Sequence, residues 1–318
     1  MILPFIIIST ILLITAVVVG LYLPNKSSCC NGKHSVNGLI HGSGKPIIWL
    51  FYDTEDVNSR HWLDFSARSE RALNMPFLNL CYKSIVEHNT DLFHIEVIGG
   101  LSGVAELLGG WEKMPSGLQN PLKPIRDREL NWIRSAILAK YGGLWLSPYS
   151  IQMRGFGTQP ADKIIFFGTD FGESYSGGAG TAVPGFRCIW SPKPEMGVFV
   201  DWEQICRARL DHPAGGQEIR RDENWDYIAL ATKYHADIGA VNVGAEGARK
   251  EGGRRLEIED LLASGNNDNL SFSLSNSVIY VPIPWRELQL RKTFGWFLRM
   301  SETQIMESDL TVRHLLCQ

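Results

Sequence analysis

From residue 2 to residue 23 the chain carries no charged side chain, and most positions are Ile, Leu, Val or Phe. About 20 such residues in a helix span the hydrocarbon of a bilayer, so residues 1–24 are expected to form a single-pass membrane anchor. A cleaved signal peptide has a basic start, a shorter apolar stretch and a small-x-small cleavage site. Here the start lacks Lys and Arg, and the run ends at Tyr22-Leu23-Pro24. Lys26 and Lys33 behind it are too few to fix the orientation. Residues 25–44 are rich in Ser, Gly, Asn and His with little to bury, which predicts a flexible stalk. Residues 45–318 follow as one domain.

Within that domain, residues 46–52 are apolar on both faces and predict a buried first strand ending at Asp53. Residues 77–88 place Phe77, Leu80, Cys81 and Ile85 at helical spacing. A strand over 94–98 stops at Gly99-Gly100. Residues 131–140 predict a helix whose core stripe includes Leu130, Ile133, Ala136 and Ile137. Tyr141-Gly142-Gly143 ends it, because glycine adopts the positive φ at which a helix turns sharply into a strand starting at Leu144. Further strands are expected at 164–167 and 278–283, and a closing helix over 296–300 and 302–316. Residues 244–255 and 265–269 are polar, turn-forming stretches. Alternating strands and helices imply an α/β sheet with helices on its faces. In such open sheets ligands sit outside the carboxyl ends of the strands.

Composition narrows the function. Of 318 residues, 44% are hydrophobic and 20% charged, ordinary for a folded domain. The formal net charge is 31 − 34 = −3, which gives no basic excess to hold a nucleic acid. Six cysteines, at 29, 30, 81, 188, 206 and 317, form neither a C-x-x-C pair nor a zinc spacing. Cys29-Cys30, next to the apolar segment, are equally an acylation site or two linker cysteines. No G-x-S-x-G elbow, H-E-x-x-H or P-loop is present, which disfavours a hydrolase.

Several residues carry candidate chemistry. Asp53, Glu55 and Asp56 follow the first strand, where a nucleotide's base or ribose would bind, and Phe51 or Tyr52 offers a ring to stack on the base. Asn131 and Arg134 lie three apart and share a helix face beside the end of the next strand. Arg134 can address a phosphate there, or pair as a surface group with Glu129 or Asp127. Asp170 and Glu173 precede a glycine-rich loop, which either admits a ligand to backbone N–H groups or is a plain turn. Asp226 can orient an acceptor sugar or sit as a helix-surface carboxylate.

The block from Asn131 through Arg134 to Tyr141-Gly142-Gly143-Leu144-Trp145-Leu146 resembles the glycosyltransferases with a D-x-D sugar-binding region, in particular their capsular-polysaccharide-synthesis relatives. Those carry S-D-x-x-R-x-x-x-L-x-x-Y-G-G and then a strand delivering the acidic motif. Residues 45–49, 81–89, 224–227 and 296–301 are similar to other blocks of that family. The resemblance implies a glycosyltransferase-A-like (nucleotide-diphospho-sugar transferase) mixed sheet flanked by helices, behind the N-terminal transmembrane helix. It implies transfer of a sugar from a nucleotide-diphosphate donor, UDP-linked by expectation, to a glycan or glycoconjugate acceptor. With the candidates read from the residues themselves, the donor-binding set is Tyr52, Asp53, Asn131, Arg134 and Tyr149, and the catalytic set Arg134, Asp170 and Asp226. The departures are specific. Asn131 stands where the family has Asp, and the D-x-D triplet falls on Ser147-Pro148-Tyr149. Hydroxyls replace the hard carboxylates a divalent cation needs, so no D-x-D-bound metal is expected. Arg134, Arg154 and Arg187 are then the cations available to a leaving diphosphate. The other reading is a catalytically silent relative that binds sugar or a partner enzyme.

Overall fold

A computed structural model describes residues 44–53, 75–121, 123, 125–168, 184–212, 223–239, 241–242, 245–247, 256–265 and 278–317. Strand β1 (Ile47–Tyr52) is buried along its whole length, as a run apolar on both faces requires. It pairs in parallel with β2 (His94–Gly99) on one side and β3 (Gly143–Leu146) on the other. Beyond β3 the sheet turns antiparallel through β6 (Cys188–Ser191) and β5 (Ile165–Phe166), giving the order β2-β1-β3-β6-β5. A second, two-stranded sheet joins β4 (Ser150–Gln152) to β7 (Tyr280–Pro282). The domain is therefore mixed α/β, with helices against its central sheet.

Alternation along β1 divides its side chains between two faces. Ile48, Leu50 and Tyr52 join a core built with Leu144 and Leu146 of β3 and with Phe77, Leu78, Cys81 and Ile85 of helix α1 (Pro76–Asn89). Trp49 and Phe51 point the other way. Trp49 donates its indole N–H to Gly142 O at 2.8 Å, and Phe51 stacks on Trp145 with centroids 6.4 Å apart.

Gly99-Gly100 does more than stop β2. Gly100, at φ +60°, opens helix α2 (Gly100–Leu108), which closes on Gly109 at φ +100°. Helix α3 (Asp127–Tyr141) starts four residues earlier than its apolar stripe predicts, because Glu129 reaches back to accept from the backbone N–H of Arg126 at 3.1 Å. It ends at Gly142 and Gly143, with φ of +66° and +91°. A Cβ on Gly143 would lie 2.6 Å from Ile47 O, so the corner needs glycine for room as well as for φ.

Between residues 168 and 244, where the sequence pattern assigns no element, β6 is followed by α4 (Gly197–Asp211), which packs on α3, and by α5 (Glu223–Lys233) beside α4. Among the described residues the C-terminal part holds five short α-helices: α6 (Ile258–Leu261), α7 (Trp285–Leu290), α8 (Gly295–Leu298), α9 (Glu302–Glu307) and α10 (Thr311–Leu316). The expected continuous helix over 302–316 is broken at Ser308, which is extended and turns its hydroxyl back onto Ile305 O. Among the described residues no helix is long and apolar enough to cross a membrane, and the expected anchor at 1–24 and stalk up to residue 43 lie outside them.

Candidate functional site

A cavity of about 450 Å³ opens at the carboxyl ends of the parallel strands β1 and β3. This is the end of an open α/β sheet at which ligands bind. Phe51 and Asp53 reach it from β1, and Trp145, Ser147 and Tyr149 from β3 and the turn after it. Asp127 and Arg134 enter from α3, Phe186 and Arg187 from just before β6, and Trp285 and Arg286 from α7.

Its walls combine flat aromatic faces with guanidinium groups. Phe51 and Trp145 form one stacked pair. Tyr149 and Trp285 form a tighter one, with centroids 4.3 Å apart and planes inclined by 19°. Arg134 is 5% exposed; its Nη1 donates to Phe186 O at 2.5 Å, and its Cζ lies 5.8 Å from the Phe186 ring centroid. Arg187 Nη1 lies 2.9 Å from Glu246 Oε1, and Arg286 Nη1 lies 2.6 Å from Asp127 Oδ1. Three arginines line the cavity against Asp53, Asp127, Glu257 and Glu287, so its formal balance is 3 − 4 = −1. An anion would have to be held locally by particular guanidiniums, because the cavity as a whole is not positive.

The structure brings Asp53, Arg134 and Tyr149 of the expected donor set together at this cavity. Tyr52 is not there. As the next residue after Phe51 it falls on the opposite face, 6% exposed within the core, where burial pushes its phenol pKa up and its hydroxyl has no hydrogen-bond partner among the described residues. The stacking ring at the end of β1 is therefore Phe51. Asn131 is 4% exposed inside α3, its Oδ1 buried without a protein partner, and it does not line the cavity. Arg134 does not use Asp127 as a surface partner; that carboxylate pairs with Arg286 instead.

Asp226 is not the helix-surface carboxylate that one reading expects, and it does not line the cavity. It is buried, and both its oxygens take 2.6 Å bonds from Arg209, which ties α5 to α4 away from the cavity. Arg154 is exposed and is not a lining residue, whereas Arg187 is one. Asp170, Glu173, Glu55 and Asp56 lie outside the described residues. The triplet Ser147-Pro148-Tyr149 supplies no carboxylate, and the Tyr149 ring is taken up by its stack on Trp285, so these residues do not fit a D-x-D metal. Among the described residues no group of three or more His, Cys, Asp or Glu gathers elsewhere to hold one. Trp145, Phe186 and Trp285 also line the cavity, Trp145 from the strand that follows Tyr141-Gly142-Gly143 and the other two without having been signalled by any motif. Strand alternation running from Leu144 and Leu146 through Trp145 was the one local clue among them.

No protein-family model matches the chain, and no curated protein matches it. Among solved structures it is similar to the apo-form glycosyltransferase GlyE of Streptococcus pneumoniae, at 13% identity and a TM-score of 0.31. That likeness covers 64% of this chain and 46% of GlyE, so the chain spans less than half the length of this neighbour.

Proposed function

We propose that the cavity binds a nucleoside-diphosphate sugar, UDP-linked in the first instance, and that the chain transfers the sugar to a glycan or glycoconjugate acceptor without a D-x-D-bound metal. The observation that carries this reading is the position of the cavity, at the carboxyl ends of β1 and β3, with stacked aromatics and three arginines in its walls. Flat rings suit a base and the apolar face of a sugar. Guanidiniums are fork-shaped donors for phosphate oxygens. In the reaction the bond from the anomeric carbon to the diphosphate breaks and one to the acceptor oxygen forms. The acceptor proton passes to a base, and the diphosphate leaves carrying the negative charge. Arg134 and Arg187 are the groups placed to stabilise that charge. In this proposal residues 1–24 anchor the domain to a membrane, as a single N-terminal span. Nucleic acid is not a partner, in keeping with the net charge.

The missing carboxylates at positions 131, 147 and 149 favour a second reading, a silent relative that binds the sugar nucleotide and does not turn it over. One experiment separates the two. The melting temperature of the full chain in detergent is measured with a panel of nucleoside-diphosphate sugars, beside sugar release, in manganese and in excess chelator. A ligand that binds only the folded state must raise the melting temperature. Stabilisation with chelator-resistant turnover supports the transferase, and stabilisation without turnover supports the silent binder. No shift with any nucleotide sugar sinks both, and turnover abolished by chelator sinks the metal-free mechanism.

A further inference from the structure

We infer that Glu246 is a positioning residue that holds Arg187 against the cavity wall for a diphosphate, an inference that rests on the reading of the cavity as a nucleotide-sugar site. Glu246 does not line the cavity. Its side chain is 7% exposed, against 28% for Arg187, and the two meet at 2.9 Å across 59 residues of sequence. Burying a carboxylate is costly unless an oppositely charged or hydrogen-bonding group compensates, so its placement calls for a reason.

The backbone on both sides of this contact is fixed. Glu246 sits between two rungs to the strand region of β7: Ile279 N–H donates to Ala245 O at 2.8 Å, and Gly247 N–H to Tyr280 O at 2.9 Å. The Tyr280 hydroxyl then donates to Phe167 O at 2.7 Å. Room for the carboxylate comes from Gly168, at φ +91°, where a Cβ would lie 2.3 Å from Glu246 Oε2. On the other side, Ser147 N–H donates to Arg187 O at 2.8 Å and Arg134 donates to Phe186 O. Residues 186 and 187 thus link Arg134, Arg187 and the Ser147-Pro148-Tyr149 turn. A long arginine side chain loses conformational entropy when it is fixed, and here Glu246 fixes it before any ligand arrives.

The test measures calorimetric UDP affinity and melting temperature for the full chain and for Glu246→Asp, Glu246→Gln, Arg187→Gln and the Glu246→Asp/Arg187→Gln double variant. Aspartate keeps the charge but withdraws it by one methylene, which separates positioning from simple charge. Arg187→Gln is expected to weaken UDP about ten- to a hundredfold, and Glu246→Asp about three- to tenfold. The double variant is expected to be no weaker than Arg187→Gln alone, since Glu246 acts through Arg187. Unchanged affinity in Glu246→Asp beside a lowered melting temperature makes the residue merely structural and overturns the inference. So does failure of both Glu246 variants to fold, and so does tighter UDP binding in Glu246→Gln, which would mean that Glu246 only subtracts charge. A wild-type chain that does not bind UDP overturns the inference together with the nucleotide-sugar reading. Binding by the wild type with Glu246→Asp indistinguishable from it overturns the inference alone.

Discussion

Two arginine–carboxylate pairs tie distant parts of this chain together, and their surroundings give them different work. Arg209 and Asp226 meet through two 2.6 Å bonds between α4 and α5, and neither lines the cavity. Arg187 and Glu246 meet at 2.9 Å, with the arginine in the wall of the cavity. The first geometry uses the fork of the guanidinium on its partner and so serves packing. The second leaves the arginine facing a space that a ligand can enter. A buried carboxylate on a helix is thus no sign of catalysis by itself, and the discriminating fact is what the partner faces.

The largest expected effect breaks the first pair. Asp226→Ala leaves Arg209, two-thirds buried, opposite an apolar methyl, and should cost about 2–3 kcal/mol of stability, discounted from the fully buried case because the arginine side chain is 33% exposed. UDP affinity, measured where the variant is still folded, should stay within about twofold of wild type, a difference under 0.5 kcal/mol. Equal stability with lost sugar transfer would reverse the comparison and return Asp226 to the catalytic set.

A smaller effect is expected on the cavity side. Trp285→Ala removes the outer ring of the Tyr149–Trp285 stack and should weaken UDP-sugar binding by about 1–2 kcal/mol, the range of one aromatic–base stack. Isothermal titration against Trp296→Ala, whose exposed ring is not a lining residue, checks it. Equal losses at both positions would remove Trp285 from the ligand's path.

Much of the frame was legible because its signals are local. Helix α3 shows its apolar stripe within one segment, and Gly142-Gly143 punctuates it for a steric reason that holds in any context. Helix α4 carried an equally local stripe in Val198, Phe199, Trp202, Cys206 and Leu210. The facing of β1 was not legible, since a strand buried on both sides has no polar face to set its register, and the choice between Phe51 and Tyr52 rested on that register. Asp53 and Tyr149 could be placed near the site because they follow predictable strands, and Arg134 because its helix face borders the end of the next strand. Glu246 and Trp285 could not. They reach it by contacts such as Arg187 with Glu246 and Asp127 with Arg286, the latter spanning 159 residues. Asp226 misled because its partner, on a helix earlier in the chain, cannot be read from the residues around it.

The smallest expected effect comes from a third pair, which tests how far exposure alone weakens such contacts. Lys83 of α1 pairs with Glu302 of α9, with side chains 65% and 31% exposed. The hydrogen bond from Lys83 holds the Glu302 carboxyl below its ordinary 4.5, with Asn79 adding to the effect and partial burial opposing it. A carboxyl whose pKa is depressed by folding adds stability above its unfolded value and loses it as the pH falls through the lower folded value. The contribution of Glu302 is therefore fully present at pH 7, begins to fade near 4.5 and is gone once the folded group is protonated. Exposed pairs are screened by water and salt, so Glu302→Gln should cost under about 1 kcal/mol at pH 7. Urea unfolding of wild type and variant at pH 7 and again near pH 3 checks this, with the difference between them expected to shrink at the acid end. Other carboxylates titrate in both proteins and cancel in that difference. A cost at pH 7 as large as that of Asp226→Ala would show that exposure is not what separates these pairs. The comparison between the buried tie and the cavity wall would then need another cause.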